Sequence, residues 1–304
     1  MVFSKSSLLA TAAAALAMGS AVSAQSSSAA SYDQVAQIQL TFPAAGLTPV
    51  PVPASWLDIQ GVLNVTFGNV NVSNIGDKLT VAQVQTAPTF RISSQTAAAQ
   101  SASTFGGSNK FTVAFLDAGV AGKNVSTEVF CHYLGNNFTW DSSTGLLRNQ
   151  TAARVAYGAP LPATNDGPHR YMQLVFQQFD NFTAPATPAA NAAIQRLQLQ
   201  DYYNNARGGL GKIVAANYIQ IEVGSAAAPS STSAVSQASV TALAASKSSA
   251  AGTKTGSSSA AAASGSGSGS GSGKSNAAAS MLGSVSMAGI VAVGSAALVG
   301  AVVL

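Results

Sequence analysis

Hydrophobic and polar positions alternate over Gly61–Phe67, with Leu63, Val65 and Phe67 on one face and Asn64 and Thr66 on the other. A period of two predicts a half-buried strand. Residues 111–116 are almost all apolar, the pattern of a central strand. Residues 128–134, 171–176 and 214–223 also read as strands. In the last, Ile219, Ile221 and Val223 oppose Tyr218, Gln220 and Glu222. Pro and Gly clusters separate these runs, as in antiparallel sheets. One helix is predicted over residues 188–206. Thr187 caps it, Pro188 suits its first turn, and Gly208 and Gly209 end it. Ile194, Leu197 and Tyr203 supply its buried stripe, and Arg207 sits near the negative end of its dipole. The sum is one mainly β domain, large enough for a single core.

The two ends follow other rules. Residues 1–24 read as a secretory signal peptide: Lys5, then an Ala/Leu core, then Val22, Ser23 and Ala24 before a cut at Gln25. Residues 287–304 are apolar, uncharged and terminal. A polar spacer and the small residues Ser275, Asn276, Ala277 and Ala278 precede them. Small residues, spacer and apolar tail together form a glycosylphosphatidylinositol (GPI) attachment signal. Asn276 is the favoured attachment residue, with Ser275 and Gly273 as alternatives, and residues 277–304 are the part removed. Residues 225–276 form a Ser/Ala/Gly/Thr tract, expected to be a flexible or O-glycosylated stalk. The folded domain is therefore expected within residues 25–224.

Composition narrows the function. Only 8% of residues are charged, and the net charge is +4. No dense basic stripe exists to neutralise phosphates, which disfavours nucleic acid as a partner. Lys5, Lys247, Lys254 and Lys274 carry the excess, so residues 31–224 are formally neutral. One cysteine excludes a disulfide scaffold and a Cys-based zinc cluster. Asn-x-Ser/Thr sequons at Asn64, Asn71, Asn124, Asn137, Asn149 and Asn181 agree with a secreted chain. They put those positions at the surface.

The chain has two histidines, His132 and His169. His132 lies in a predicted strand. His169 follows a Pro/Gly-rich loop over residues 158–168. Asp117 ends the buried run 111–116 and so sits at a sheet rim. Taken singly, each reads as well as a hydrogen-bonded structural residue. Cys131 points to the opposite side of the strand from His132 and reads as a buried, inert thiol.

Taken together, residues 61–223 resemble the phosphatidylethanolamine-binding protein (PEBP) family. Gly61–Phe67 with residues 76–88 is similar to its opening. Residues 111–121, around Asp117, occupy the place of its Asp-Pro-Asp-Ala-Pro box. His132-Tyr133-Leu134-Gly135-Asn136-Asn137 resembles its His-Trp/Phe-Leu strand. Tyr157-Gly158-Ala159-Pro160-Leu161-Pro162, then Gly167-Pro168-His169-Arg170-Tyr171, resembles its most specific block, with one residue inserted before the glycine. Residues 214–220 look like its late strand.

The resemblance implies a Greek-key sandwich of two packed antiparallel sheets with a few helices. It places a small anion pocket at one rim, lined by Asp117, His132, Pro162, Gly167 and His169, with Tyr171 nearby. Two imidazoles suit a phosphate, and a glycine lets a backbone N–H approach it. A carboxylate beside them suits an ammonium group. There are departures. Gly119 replaces the second Asp of the box, and Ala118 and Ala121 replace its prolines, which softens the turn. The family's C-terminal helix is expected to be missing. Glycans at Asn124 and Asn137 would narrow the entrance.

The leading expectation is a non-enzymatic, GPI-anchored protein of fungal cell-surface type, on the outer leaflet or transferred to a wall. It would bind a phospholipid headgroup or phosphorylated small molecule, without cofactor or resident metal. The alternatives are a protein-binding regulator such as a protease inhibitor, and a structural surface protein with a degenerate pocket. A His/His/Asp metal or catalytic site is disfavoured, because no activated nucleophile or metal-ligand spacing accompanies it.

Overall fold

The computed structural model describes residues 29–95, 103–123, 126–226 and 233–255. The signal segment, Asn124, Asn276 and the apolar tail lie outside the described residues. Among the described residues, ten strands form two sheets. The small sheet has the order β2–β1–β4: β1 is Gly61–Phe67, β2 Val70–Asn71 and β4 Pro88–Ser94. The large sheet has the order β3–β10–β8–β5–β6–β7. Its strands are β3 (Lys78–Leu79), β5 (Lys110–Val120), β6 (Glu128–Trp140), β7 (Leu147–Asn149), β8 (His169–Gln178) and β10 (Leu210–Ile221), and β9 (Gln195–Gln198) pairs with β6. All pairings are antiparallel except β3 with β10. The chain is thus mainly β with two sheets and a few helices.

Alternation decides which side chain serves which layer. On β8, Tyr171 and Val175 face the small sheet and meet Leu63, Val65, Phe67 and Ile92. Met172, Leu174 and Phe176 face the other way. They are covered by α1 (Tyr32–Ala44), through Val35, Ile38 and Phe42, and by α2 (Leu199–Asn205), through Leu199 and Tyr202. Ser31 and Gln34 start α1 with a capping box, each side chain accepting from the other's backbone N–H.

Two elements differ from the sequence reading. The helix expected over 188–206 shrinks to α2. Residues 195–198 instead pair with β6, and Ile194 is exposed, so Leu197 is buried from a strand rather than a helical stripe. Edge pairing to β6 supplies ladder hydrogen bonds that helix propensity does not foresee. Within the expected stalk, residues 237–255 form a helix, α3, which lays Val240 and Ala244 on Ala36 of α1. Ser233 N–H donates to Ala44 O, and Lys247 Nζ donates to Ile59 O. Alanine is the best helix former, and its small side chain permits close helix packing. A helix therefore does follow the last strand, against expectation, and it docks on α1.

Candidate functional site

The site is built on two bulges. Between β5 and β6, Phe115 pairs with Tyr133 and Leu116 with Cys131, so His132 is an extra residue without a partner on β5. Such a bulge re-aims its side chain. His132 is then clasped twice by Gly158: its carbonyl accepts the Gly158 N–H at 2.9 Å, and its Nδ1–H donates to the Gly158 carbonyl at 2.9 Å. Between β5 and β8, Asp117 pairs with Tyr171 and Val120 with His169, leaving one surplus residue on β5. Gly119, at φ +69°, takes the left-handed turn this needs, and its N–H donates to Asp117 Oδ1 at 2.7 Å.

Missing prolines do not leave that turn loose. The buried Arg170 donates to Gly119 O (3.0 Å) and Ala118 O (3.0 Å). It also donates to Ala45 O (2.7 Å) and Gly46 O (3.0 Å) in the loop after α1. A planar guanidinium, with donors in fixed directions, does the bracing that ring closure would otherwise do.

Asp117, His132, His169 and Tyr171 come together. Tyr171 lies between the imidazoles, edge-on to His132 (5.3 Å, 81°) and stacked with His169 (6.2 Å, 24°). His169 Nδ1 donates to Asp117 Oδ2 at 2.8 Å, and its Nε2 donates to Asp166 Oδ2 at 2.9 Å. Lys123 Nζ stands 3.2 Å from Asp166 Oδ1. Charges therefore alternate along Asp117, His169, Asp166 and Lys123.

The two imidazoles differ chemically. Burial pushes His132 below the ordinary histidine range, against the opposing pull of the Gly158 carbonyl and Asp117. With Nδ1–H committed to Gly158, neutral His132 presents Nε2 as an acceptor. Burial also pulls His169 down, but hydrogen bonds and charge from Asp117 and then Asp166 outweigh it and raise the pKa. Both His169 nitrogens face carboxylate oxygens, an arrangement that favours the imidazolium. Asp166 is held below the usual carboxylate range by the His169 hydrogen bond and then by Lys123. Burial, with the Asp117 carboxylate beside it, pushes the Tyr171 phenol up.

In the folded chain the two imidazoles are engaged differently: His132 Nδ1 is committed to Gly158, and both nitrogens of His169 face carboxylates. Gly167 precedes His169 by two residues, on the loop that leads into β8. Its φ is +114°, and a Cβ there would meet Val120 and Ala226, so glycine is required by the backbone and its packing. Pro162 is buried on the same loop. Asp166, Lys123 and Gly158 were not anticipated. The spacing of Asp166, three residues before His169, was the available signal for the first.

Asn64, Asn71, Asn149 and Asn181 are exposed, and Asn137 is half-buried at φ +59° in a second bulge of β6. Cys131 is buried in the core on the helix side, and burial raises its thiol to about 12. Among the described residues, no group of three His, Cys, Asp or Glu side chains is placed to hold a metal ion, and no helix is long and apolar enough to cross a membrane. Two cavities have linings that include none of Asp117, His132, His169 and Tyr171. One of about 450 Å³ is bounded by α1, β1 and α3, and one of about 550 Å³ lies between β4 and β7 and reaches Tyr157.

The phosphatidylethanolamine-binding protein family profile matches residues 62–219, over half of the chain. Similar solved structures include a carboxypeptidase Y inhibitor complexed with its cognate proteinase. That structure is 17% identical with TM-score 0.48, covering 62% of this chain and 97% of that one. Another is the phosphatidylethanolamine-binding protein of Plasmodium vivax, 14% identical with TM-score 0.46, covering 61% and 97%. A third, from Plasmodium falciparum, is 15% identical with TM-score 0.41, covering 60% and 96%. No curated protein matches the chain.

Proposed function

Because the chain belongs to the phosphatidylethanolamine-binding protein family, we propose that it is a non-enzymatic binding protein whose rim cluster takes a phosphate-bearing or phospholipid headgroup. The observation that carries this is the joining of Asp117, His169, Tyr171 and His132 by hydrogen bonds and ring contacts at one sheet end. The cluster offers acceptors (His132 Nε2 and the carboxylates) beside cations (His169 and Lys123). A group with both an anion and an N–H or O–H donor satisfies both sets, as a phosphoethanolamine head does. Titration of the full-length protein with glycerophosphoethanolamine, followed by 31P NMR, tests it. Line broadening that His169→Ala abolishes supports the reading, and none with folded wild type refutes it.

We also propose that the protein is secreted, glycosylated at its exposed sequons and held at the cell surface by a GPI anchor on Asn276, on the motif evidence of both termini. Release from intact cells by phosphatidylinositol-specific phospholipase C is the expected result. A protein partner is the second reading. It is favoured by Leu161, 77% exposed on the loop that carries Pro162 and Asp166. Leu161→Asp would then weaken capture of that partner while leaving headgroup binding intact.

A further inference from the structure

We propose that Asp166 determines what the site accepts: an oxyanion seat lies between His169 Nε2 and Lys123 Nζ, and the chain's own Asp166 carboxylate fills it until an external oxyanion replaces it. This rests on the binding reading above. The two donors straddle one carboxylate, Oδ2 at 2.9 Å from His169 and Oδ1 at 3.2 Å from Lys123. A phosphate ester or a ligand carboxylate presents the same pair of oxygens, while a neutral hydroxyl has only one. The seat is therefore selective for groups with two anionic oxygens.

The exchange needs little movement. The Asp166 side chain is 42% exposed and can turn into water. Its backbone stays put: Asn165 N–H donates to Val223 O at 2.8 Å, Ser225 N–H donates to Asn165 Oδ1 at 3.0 Å, and Lys123 Nζ also donates to Asp166 O. His169 stays put too, because Asp117, with its side chain only 8% exposed, holds its other nitrogen. Exposed ion pairs are weak, so the internal carboxylate is a soft competitor rather than a block.

The test is calorimetric titration of the full-length protein with inorganic phosphate and, separately, acetate. Asp166→Ala is expected to bind tighter than wild type by about two- to tenfold. Glu128→Gln removes the same charge from an acid paired with Arg196 outside the seat, and is expected to leave affinity within about twofold. In wild type, the Asp166 carboxyl 13C resonance should move to an exposed-aspartate position at saturating phosphate. A phosphate response without an acetate response assigns the seat to phosphate esters, and the converse assigns it to carboxylates. Equal affinity of wild type and Asp166→Ala, or an unmoved Asp166 resonance at saturation, overturns the proposal alone. Binding of neither anion by either folded protein overturns the binding reading, and this proposal with it.

Discussion

Nδ1 of His169 lies 2.8 Å from Oδ2 of Asp117, tying the first residue of β8 to a residue near the end of β5. The side chains are 15% and 8% exposed. Removing the carboxylate leaves a partly buried imidazolium with one partner lost. Asp117→Ala is expected to lower stability by about 1–3 kcal/mol, read from urea midpoints at unchanged slope. Wild-type stability in that variant would contradict the pairing.

The two histidines titrate apart. His169 is raised and His132 lowered from the ordinary 6.5. For His169 the folded chain keeps a proton that the unfolded chain releases. Its stabilisation is therefore complete below about pH 6.5 and fades as pH rises through the raised folded value. For His132 the sign reverses: the unfolded chain takes the proton first, so stability falls as pH drops below about 6.5. Two-dimensional NMR should show one imidazole titrating above 6.5 and one below. His169→Gln should flatten stability on the alkaline side and His132→Gln on the acid side. A shared midpoint near 6.5 would refute the asymmetry.

Arg170 braces the turn at Asp117–Gly119. Arg170→Lys keeps the charge but cannot reach carbonyls of Ala45, Gly46, Ala118 and Gly119 together. It is expected to cost about 2–4 kcal/mol and to loosen the Asp117 turn, visible as faster amide exchange at Gly119. Unchanged exchange would assign the rigidity elsewhere.

Much of this fold was legible as periodicity. Gly61–Phe67 reads as a strand because one face is buried and the other wet, and the structure gives those bounds. The pairing of His132, His169 and Asp117 was legible only through family blocks. Bulges at His132 and Gly119 depend on cross-strand register, which no local pattern encodes. The strand at residues 195–198 escaped for the same reason. Helix α3 was hidden by composition: a Ser/Ala tract suits a linker, and only Val240 and Ala244 against Ala36 make it a packed element. Helix α1 likewise lay in a stretch where no element was assigned. Asp166 was missed because its importance arises from Lys123, brought near by folding.

Docking of α3 predicts a measurable contact. Val240→Asp places a charge against Ala36 and is expected to cost about 1–2 kcal/mol, with α3 becoming sensitive to limited proteolysis first. Equal protease resistance would mean that α3 stands free.

Cys131 reports on global opening. Buried, with its thiol raised to about 12, it should resist alkylation in the native protein and react on unfolding. Rapid native labelling at neutral pH would contradict its placement behind the sheet.

The most direct measurement is calorimetric titration of the intact protein with phosphoethanolamine, beside His169→Ala and Asp117→Asn. Wild type is expected to show saturable one-site binding that both variants lose while still folded. Binding undiminished in both variants, or a folded wild type that binds nothing, would contradict it.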